Sequence, residues 1–189
     1  MHSRTQEVLD YLDTTRSELS NAVEEVPAGR RDERPGVDRW SVAQVLEHLN
    51  MIEGRVAQMI SVRIGKARAG GLGAELETSS VVDSISRTRI ADRSQPANAP
   101  EMLLPPATID AATVWSILQQ SRADLRNAFV QGDGLALSEV KHEHPVLGLI
   151  NLYQWLIFVG AHEVRHAEQI REIGQQLGGI QKAAADVQG

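Results

Sequence analysis

The chain has 189 residues, 42% apolar and 23% charged, the size and balance of one ordinary globular domain, which excludes disordered, collagenous and coiled-coil architectures. A formal charge of −6 leaves no general excess of cation for a phosphate backbone, so no nucleic-acid partner is expected. With no cysteine there are no disulfides, thiolate metal sites or cysteine nucleophiles, and any thiol chemistry must use an external thiol.

The first residues, Met1-His2-Ser3-Arg4-Thr5-Gln6-Glu7, carry charge where a secretory signal would place its apolar core. The longest later apolar run, residues 152–161, is broken by Gln154 and falls short of the roughly 20 residues that span a bilayer. These features predict a cytoplasmic protein without a membrane segment.

Four stretches repeat apolar residues at intervals of three and four, and none alternates as a strand would. The first predicted helix starts at Ser3, where Ser3 and Gln6 form a capping box, and runs through Val8, Leu12, Leu19, Val23 and Val26 to Pro27. An Arg-, Asp-, Gly- and Pro-rich loop follows. The second predicted helix, residues 42–69, opens on a Ser41–Gln44 capping box with Trp40 as a staple on Val45, and ends at Gly70-Gly71. Its stripe is Val45, His48, Ile52, Val56 and Met59.

Residues 71–106 are irregular, with Pro, Ser and Asn clusters and a weak helical signal over 81–90; connections this long in a compact domain are usually functional or mobile. The third predicted helix, residues 109–131, has Thr108 as its cap and a stripe of Trp115, Leu118, Arg122, Leu125 and Phe129. The fourth opens at an Asn151–Gln154 capping box, proceeds to Leu177 and is stopped by Gly178-Gly179, leaving a frayed, flexible tail from about 180 to 189. Four amphipathic helices without a sheet bury their faces only against one another, so the expected fold is an all-α four-helix bundle in a single domain, with a long irregular connection between the second and third helices.

Chemistry concentrates in histidines on core stripes. In His162-Glu163-Val164-Arg165-His166 the two imidazoles are four residues apart and face the same way, on the stripe Trp155, Val159, His162, His166, Ile170 and Ile173. His48 faces inward from the second helix. A lone inward imidazole is ordinarily a core residue bonded to a carbonyl, but three of them need partners for six ring nitrogens, and one shared metal ion satisfies a nitrogen from each.

The same five residues match H-E-x-x-H, in which a zincin metalloprotease uses the glutamate as general base on a metal-bound water. The extended form of that motif needs glycine and histidine where Gln169 and Glu172 stand, and no substrate-binding sheet is predicted. A di-iron carboxylate site is a further reading of the Glu163–His166 spacing, but it needs a second Glu-x-x-His and two more inward glutamates, and Glu47 and Glu53 lie off the His48 stripe.

Taken together, Trp40 to Leu49, the His144-Pro145-Val146-Leu147-Gly148 stretch, Gln154-Trp155-Leu156 and His162 to Ile170 resemble the DinB-like superfamily over nearly the whole chain. The resemblance implies a small bacterial four-helix bundle, commonly a homodimer, with a divalent metal on His48, His162 and His166. Family activities add low-molecular-weight-thiol S-transfer or isomerisation to the expectations, beside a hydrolase. A non-catalytic metal-binding or stress-associated protein is the alternative. Three neutral imidazoles suit zinc, nickel, iron or manganese and leave open positions for a small-molecule substrate.

Catalytic candidates are Glu163, read as a surface or neighbouring carboxylate, and Arg122. Arg122 interrupts an apolar stripe, so its head either reaches the surface, pairs with a glutamate, or holds an anionic substrate near the metal. His142 and His144 fall in a loop with no assigned role, His144-Pro145 being read as a helix-entry element, and His2 is read as solvated.

Overall fold

Helix α1 (Ser3–Glu24) begins one residue earlier than the capping-box reading places it, because the Nδ1 atom of His2 caps it by accepting from the Arg4 N–H. Gln6 turns instead to Asp10, and His2 is tied down through its backbone N–H to Asp133 at 2.9 Å. Helix α2 (Val42–Ala69) has the expected reciprocal Ser41–Gln44 box, and Gly71, at φ +78°, takes the left-handed turn that ends it. A five-residue helix α3 (Arg87–Ala91) lies within the long connection, at the end of the weakly helical stretch. Helix α4 (Ala111–Val130) is capped by Asp110, which accepts from the Thr113 N–H at 2.7 Å, in place of Thr108.

The loop after α4 contains an antiparallel hairpin, β1 (Lys141–His144) and β2 (Gly148–Asn151), paired Lys141 to Asn151 through His144 to Gly148. Four-residue strands are too short to show alternation, which is why the sequence reads as purely helical there. Helix α5 (Leu152–Gln188) opens on the Asn151–Gln154 box, with both bonds present at 2.9 and 3.0 Å. Gly178 and Gly179 do not stop it. Two glycines cost a helix interior roughly 1 kcal/mol each, and the Ala- and Gln-rich residues that follow are strong helix formers. The computed structural model describes residues 1–94 and 99–188, with side chains through residue 178. Part of the Pro-rich stretch, residues 95–98, thus lies outside the described residues, as does Gly189. Among the described residues no helix is long and apolar enough to cross a membrane.

The four long helices form a bundle whose direction follows from its two apolar clusters. One joins the start of α1 (Val8, Leu12), the end of α2 (Val56, Ile60, Ile64), the end of α4 (Leu125, Phe129) and the start of α5 (Leu152, Leu156). The other joins the opposite halves: Leu19 and Val23, Val42 and Leu46, Val114 and Leu118, Ala167 and Ile170. Hence α1 runs parallel to α5 and α2 parallel to α4, and these two pairs share the most extensive contacts.

A parallel pair cannot be joined by a short turn, so the connection from α2 to α4 must travel back along a helix of about 42 Å. Its anchors mark the route. Glu75 meets Arg4 and Tyr153 at one end, Ser84 accepts from Gln154, Arg93 pairs with Glu172, and Pro106 accepts from Gln44 at the other end.

Gly160 of α5 packs directly on α1, where an added Cβ would stand 2.5 Å from Cε1 of Tyr11, whereas Gly65 on α2 faces open space. Gly160→Ala should therefore lower unfolding free energy by about 1–3 kcal/mol through overpacking, and Gly65→Ala should raise it by about 0.5–1 kcal/mol through helix propensity. Urea denaturation of the two variants checks both signs.

Candidate metal centre

Three of the sequence-predicted residues meet at the seam between α2 and α5. The ligand atoms of His48, His162 and His166 all lie within 4.8 Å of one another. The Nε2 atoms of His162 and His166, one helical turn apart, are 3.1 Å apart. The His48 ring lies 5.4 Å from that of His162 and 5.0 Å from that of His166.

Each ring is held by a different device. The Nδ1–H of His48 donates to the Leu103 carbonyl at 3.0 Å, so the connection itself fixes the ring and leaves Nε2 free. Nδ1 of His166 meets Oε1 of Gln169 at 2.7 Å, and its Nε2 is turned to that of His162. Nδ1 of His162 is buried and has no hydrogen-bond partner among the described residues; its ring is fixed instead by stacking on Phe158 at 5.4 Å. Trp40, expected as a staple on Val45, has its ring 5.1 Å from that of His48.

Burial and the neighbouring imidazoles keep all three rings neutral at pH 7. His166 is pushed down to about 3 by burial first and His48 second, and His162 is held well below the usual histidine range by burial, His166 and His48. Burial also lowers His48, against the opposing pull of the Leu103 carbonyl. Neutral imidazoles offer lone pairs, and a four-coordinate ion with bonds of about 2.1 Å needs nitrogens about 3.4 Å apart. The donor set and its spacing fit a divalent metal ion.

Glu163 and Arg122 occupy a different place. Glu163, read from the sequence as a surface or neighbouring carboxylate, is fully buried, at 0% exposure. It joins a layer of four charges, one from each bundle helix. Arg16 of α1 contacts Glu53 of α2 and Glu163 of α5, both at 2.8 Å, and Arg122 of α4 contacts the same carboxylates at 2.5 and 2.6 Å. Thr15 and Ser121 donate to Glu163 and Glu53, and Arg122 donates to the Leu12 carbonyl. Two cations and two anions sum to zero. Burial opposes the charge on Arg122, but Glu163 and Glu53 outweigh it and hold the guanidinium pKa above its ordinary value. The arginine head thus neither reaches the surface nor stands open to an anion, and the glutamate oxygens face Arg16, Arg122 and Thr15 inside the layer, where a zincin base would face a metal-bound water.

Arg16 escaped the sequence reading and Glu53 was weighed only as a metal ligand and set aside, although their spacing carried a signal. Arg16 falls between Leu12 and Leu19, and Glu53 between Leu49 and Val56, each on an apolar stripe as Arg122 is. Glu53 is off the His48 stripe, but α2 buries a second, adjacent one through Leu46, Leu49, Glu53, Val56 and Ile60.

His142 and His144 lie on the hairpin, outside the trio. Nδ1 of His142 accepts from Arg63 at 2.8 Å, and its ring stacks on Trp155. His144 belongs to the hairpin and its turn, where its Nδ1 accepts from the backbone N–H groups of Val146 and Leu147, both at 3.1 Å. Burial pushes its imidazole down to about 4.

The family model of the DinB superfamily matches residues 11–170. YuaE of Bacillus subtilis (strain 168), an uncharacterized protein, is 25% identical over 174 residues, which cover 89% of this chain and 98% of that relative. The crystal structure of TT2238, a four-helix bundle protein, is similar with a TM-score of 0.57 at 17% identity, over 89% of this chain and 98% of that one, a likeness of fold.

Arg122→Met leaves two buried carboxylates facing one guanidinium and should destabilise the protein by about 3–5 kcal/mol. Coupling with Glu53→Gln in a double-mutant cycle, read by denaturant unfolding, should be well outside additivity. The pH dependence of His144 follows from its lowered pKa. The unfolded ring, near 6.5, binds a proton that the folded ring refuses, so this contribution to stability is complete above about pH 6.5 and is lost as pH falls through about 4. An NMR titration of the ring should give a midpoint near 4; a midpoint near 6.5 would show a solvated ring.

Proposed function

The chain belongs to the DinB superfamily, and from that premise we propose that His48, His162 and His166 hold one divalent metal ion in a metal-dependent enzyme of thiol S-transferase or hydrolase type. The reading includes a cytoplasmic protein acting on a small molecule, and a homodimer as the family implies. The observation that carries it is the convergence of three neutral imidazoles, His48 and His166 buried and His162 half-buried, the first two with Nδ1 engaged elsewhere so that Nε2 is the nitrogen left for the shared site.

When bound, the metal would supply a Lewis acid that acidifies a water or an external thiol at neutral pH. The chain's own residues do the rest. Leu103 and Gln169 orient His48 and His166, as outer partners of metal-binding histidines do. Trp40 packs against the His48 ring and Phe158 stacks on that of His162. An all-imidazole site accommodates zinc, nickel, iron or manganese.

A second reading, a non-catalytic metal-binding bundle, is favoured by the charge layer: Glu163 and Arg122 are both engaged there, which removes them as acid, base or anion clamp.

Elemental analysis of protein purified without a histidine tag tests the site. About one ion per chain is expected in the wild type and none in His162→Ala; no metal in either, after loading with zinc, nickel and iron, would overturn the metal reading. With the ion present, turnover on a panel of low-molecular-weight thiols and electrophiles separates the enzyme from the non-catalytic bundle.

A further inference from the structure

His144 is only 5% exposed, yet it belongs neither to the histidine trio nor to the charge layer. Both of its hydrogen bonds are made at Nδ1, which accepts from two backbone N–H groups of the hairpin turn. A nitrogen that accepts carries no hydrogen, so the neutral ring has its proton on Nε2. No acceptor among the described residues takes up that Nε2–H. The atom is not one of the fully enclosed polar atoms that lack a partner, so an otherwise buried ring keeps one donor open to a small molecule.

The position of the ring indicates what the donor serves. Trp155, Phe158 and His162, spaced by three and four residues, share one face of α5. The His144 ring packs against the first two, at 4.8 Å from Trp155 and edge-on at 4.3 Å from Phe158. Phe158 stacks in turn on His162, at 5.4 Å and 26°. One aromatic ring therefore separates His144 from the trio, on the same helix face. With Nδ1 turned to the hairpin, Nε2–H points away from it.

We propose that His144 is a substrate-binding residue, donating its Nε2–H to an acceptor oxygen of a molecule whose other end is on the metal. The proposal rests on the metal reading above. It narrows the substrate class to small molecules that carry a metal-seeking head and, a few bonds away, a carbonyl or carboxylate oxygen. Because burial keeps the ring neutral at pH 7, His144 acts as a hydrogen-bond donor and not as an imidazolium acid.

Two thiols of similar acidity supply the probe. Cobalt-loaded protein is titrated with 3-mercaptopropionate and with propanethiol, following the thiolate-to-cobalt absorption in the near ultraviolet; only the first carries an acceptor oxygen. The wild type should prefer the carboxylate thiol by about tenfold, the size of one hydrogen bond to a charged group. His144→Asn places an amide oxygen where Nδ1 stands, keeping the turn acceptor, and removes the distal donor. It should bring the preference near onefold while cobalt affinity and melting temperature hold.

His144→Gln sets an amide N–H near the Nε2 position and should restore part of the preference. An unchanged preference in His144→Asn, or none in a wild type that binds both thiols, would overturn the assignment of His144 and leave the metal reading intact. Loss of cobalt from His144→Asn would make the residue a support of the metal site and equally overturn its substrate role. A wild type that takes up no cobalt would overturn the metal reading, and this proposal with it.

Discussion

Two guanidiniums and two carboxylates sealed at mid-height constrain everything else in this bundle. Each helix must deliver one charge to the same level, since a carboxylate displaced from its arginines would be buried alone, which costs several kcal/mol. Apolar faces are far more tolerant, because one leucine packs nearly as well as another and a slip of one turn trades similar contacts. The apolar clusters above and below hold the helices together, and the charge layer sets where along one another they stop. That register reaches the histidines directly: Glu163 is adjacent to His162 in α5, and Glu53 lies little more than a turn from His48 in α2. A slip between α2 and α5 would break the ion pairs and separate His48 from the other two imidazoles.

The second constraint is topological. Pairing α1 with α5 and α2 with α4 in parallel forces the chain to recross the length of the bundle. The recrossing segment looks irregular because it has no core of its own; it is stitched down residue by residue through Glu75, Ser84, Arg93 and Pro106. One of those stitches, the Leu103 carbonyl on His48, belongs to the candidate metal site. The length that reads as a functional loop is thus first a consequence of helix direction, and it serves the site by supplying a backbone acceptor.

What could be read from the sequence follows the range of each interaction. The boxes Ser41–Gln44 and Asn151–Gln154 are local, and both form; the three histidines lie on periodic apolar stripes, and the bundle brings them together. The start of α1 differs because His2 and Ser3 compete as caps, and Asp133, distant in sequence, holds His2 in place. The hairpin is too short to leave a period, and the glycines at 178 and 179 weigh less than the helix formers after them. The roles of Arg16 and Glu53 were hidden because a charge on an apolar stripe is explained only by its ion-pair partners, which for each of them come from two other helices.

The parallel pairing of α1 with α5 also has a consequence for the order in which the protein assembles. Thr15 and its partner Glu163 are separated by 148 residues, and Arg16 closes its ion pair with the same glutamate. At ordinary rates of synthesis α1 leaves the ribosome on the order of ten seconds before the helix that covers it. During that interval α1 has only α2, and later α4, to shelter its apolar face, and the layer stands with two arginines and one carboxylate. Of the bundle helices α5 is made after the other three and is the one that neutralises the core, so its docking is the event that turns a partly collapsed chain into the native bundle.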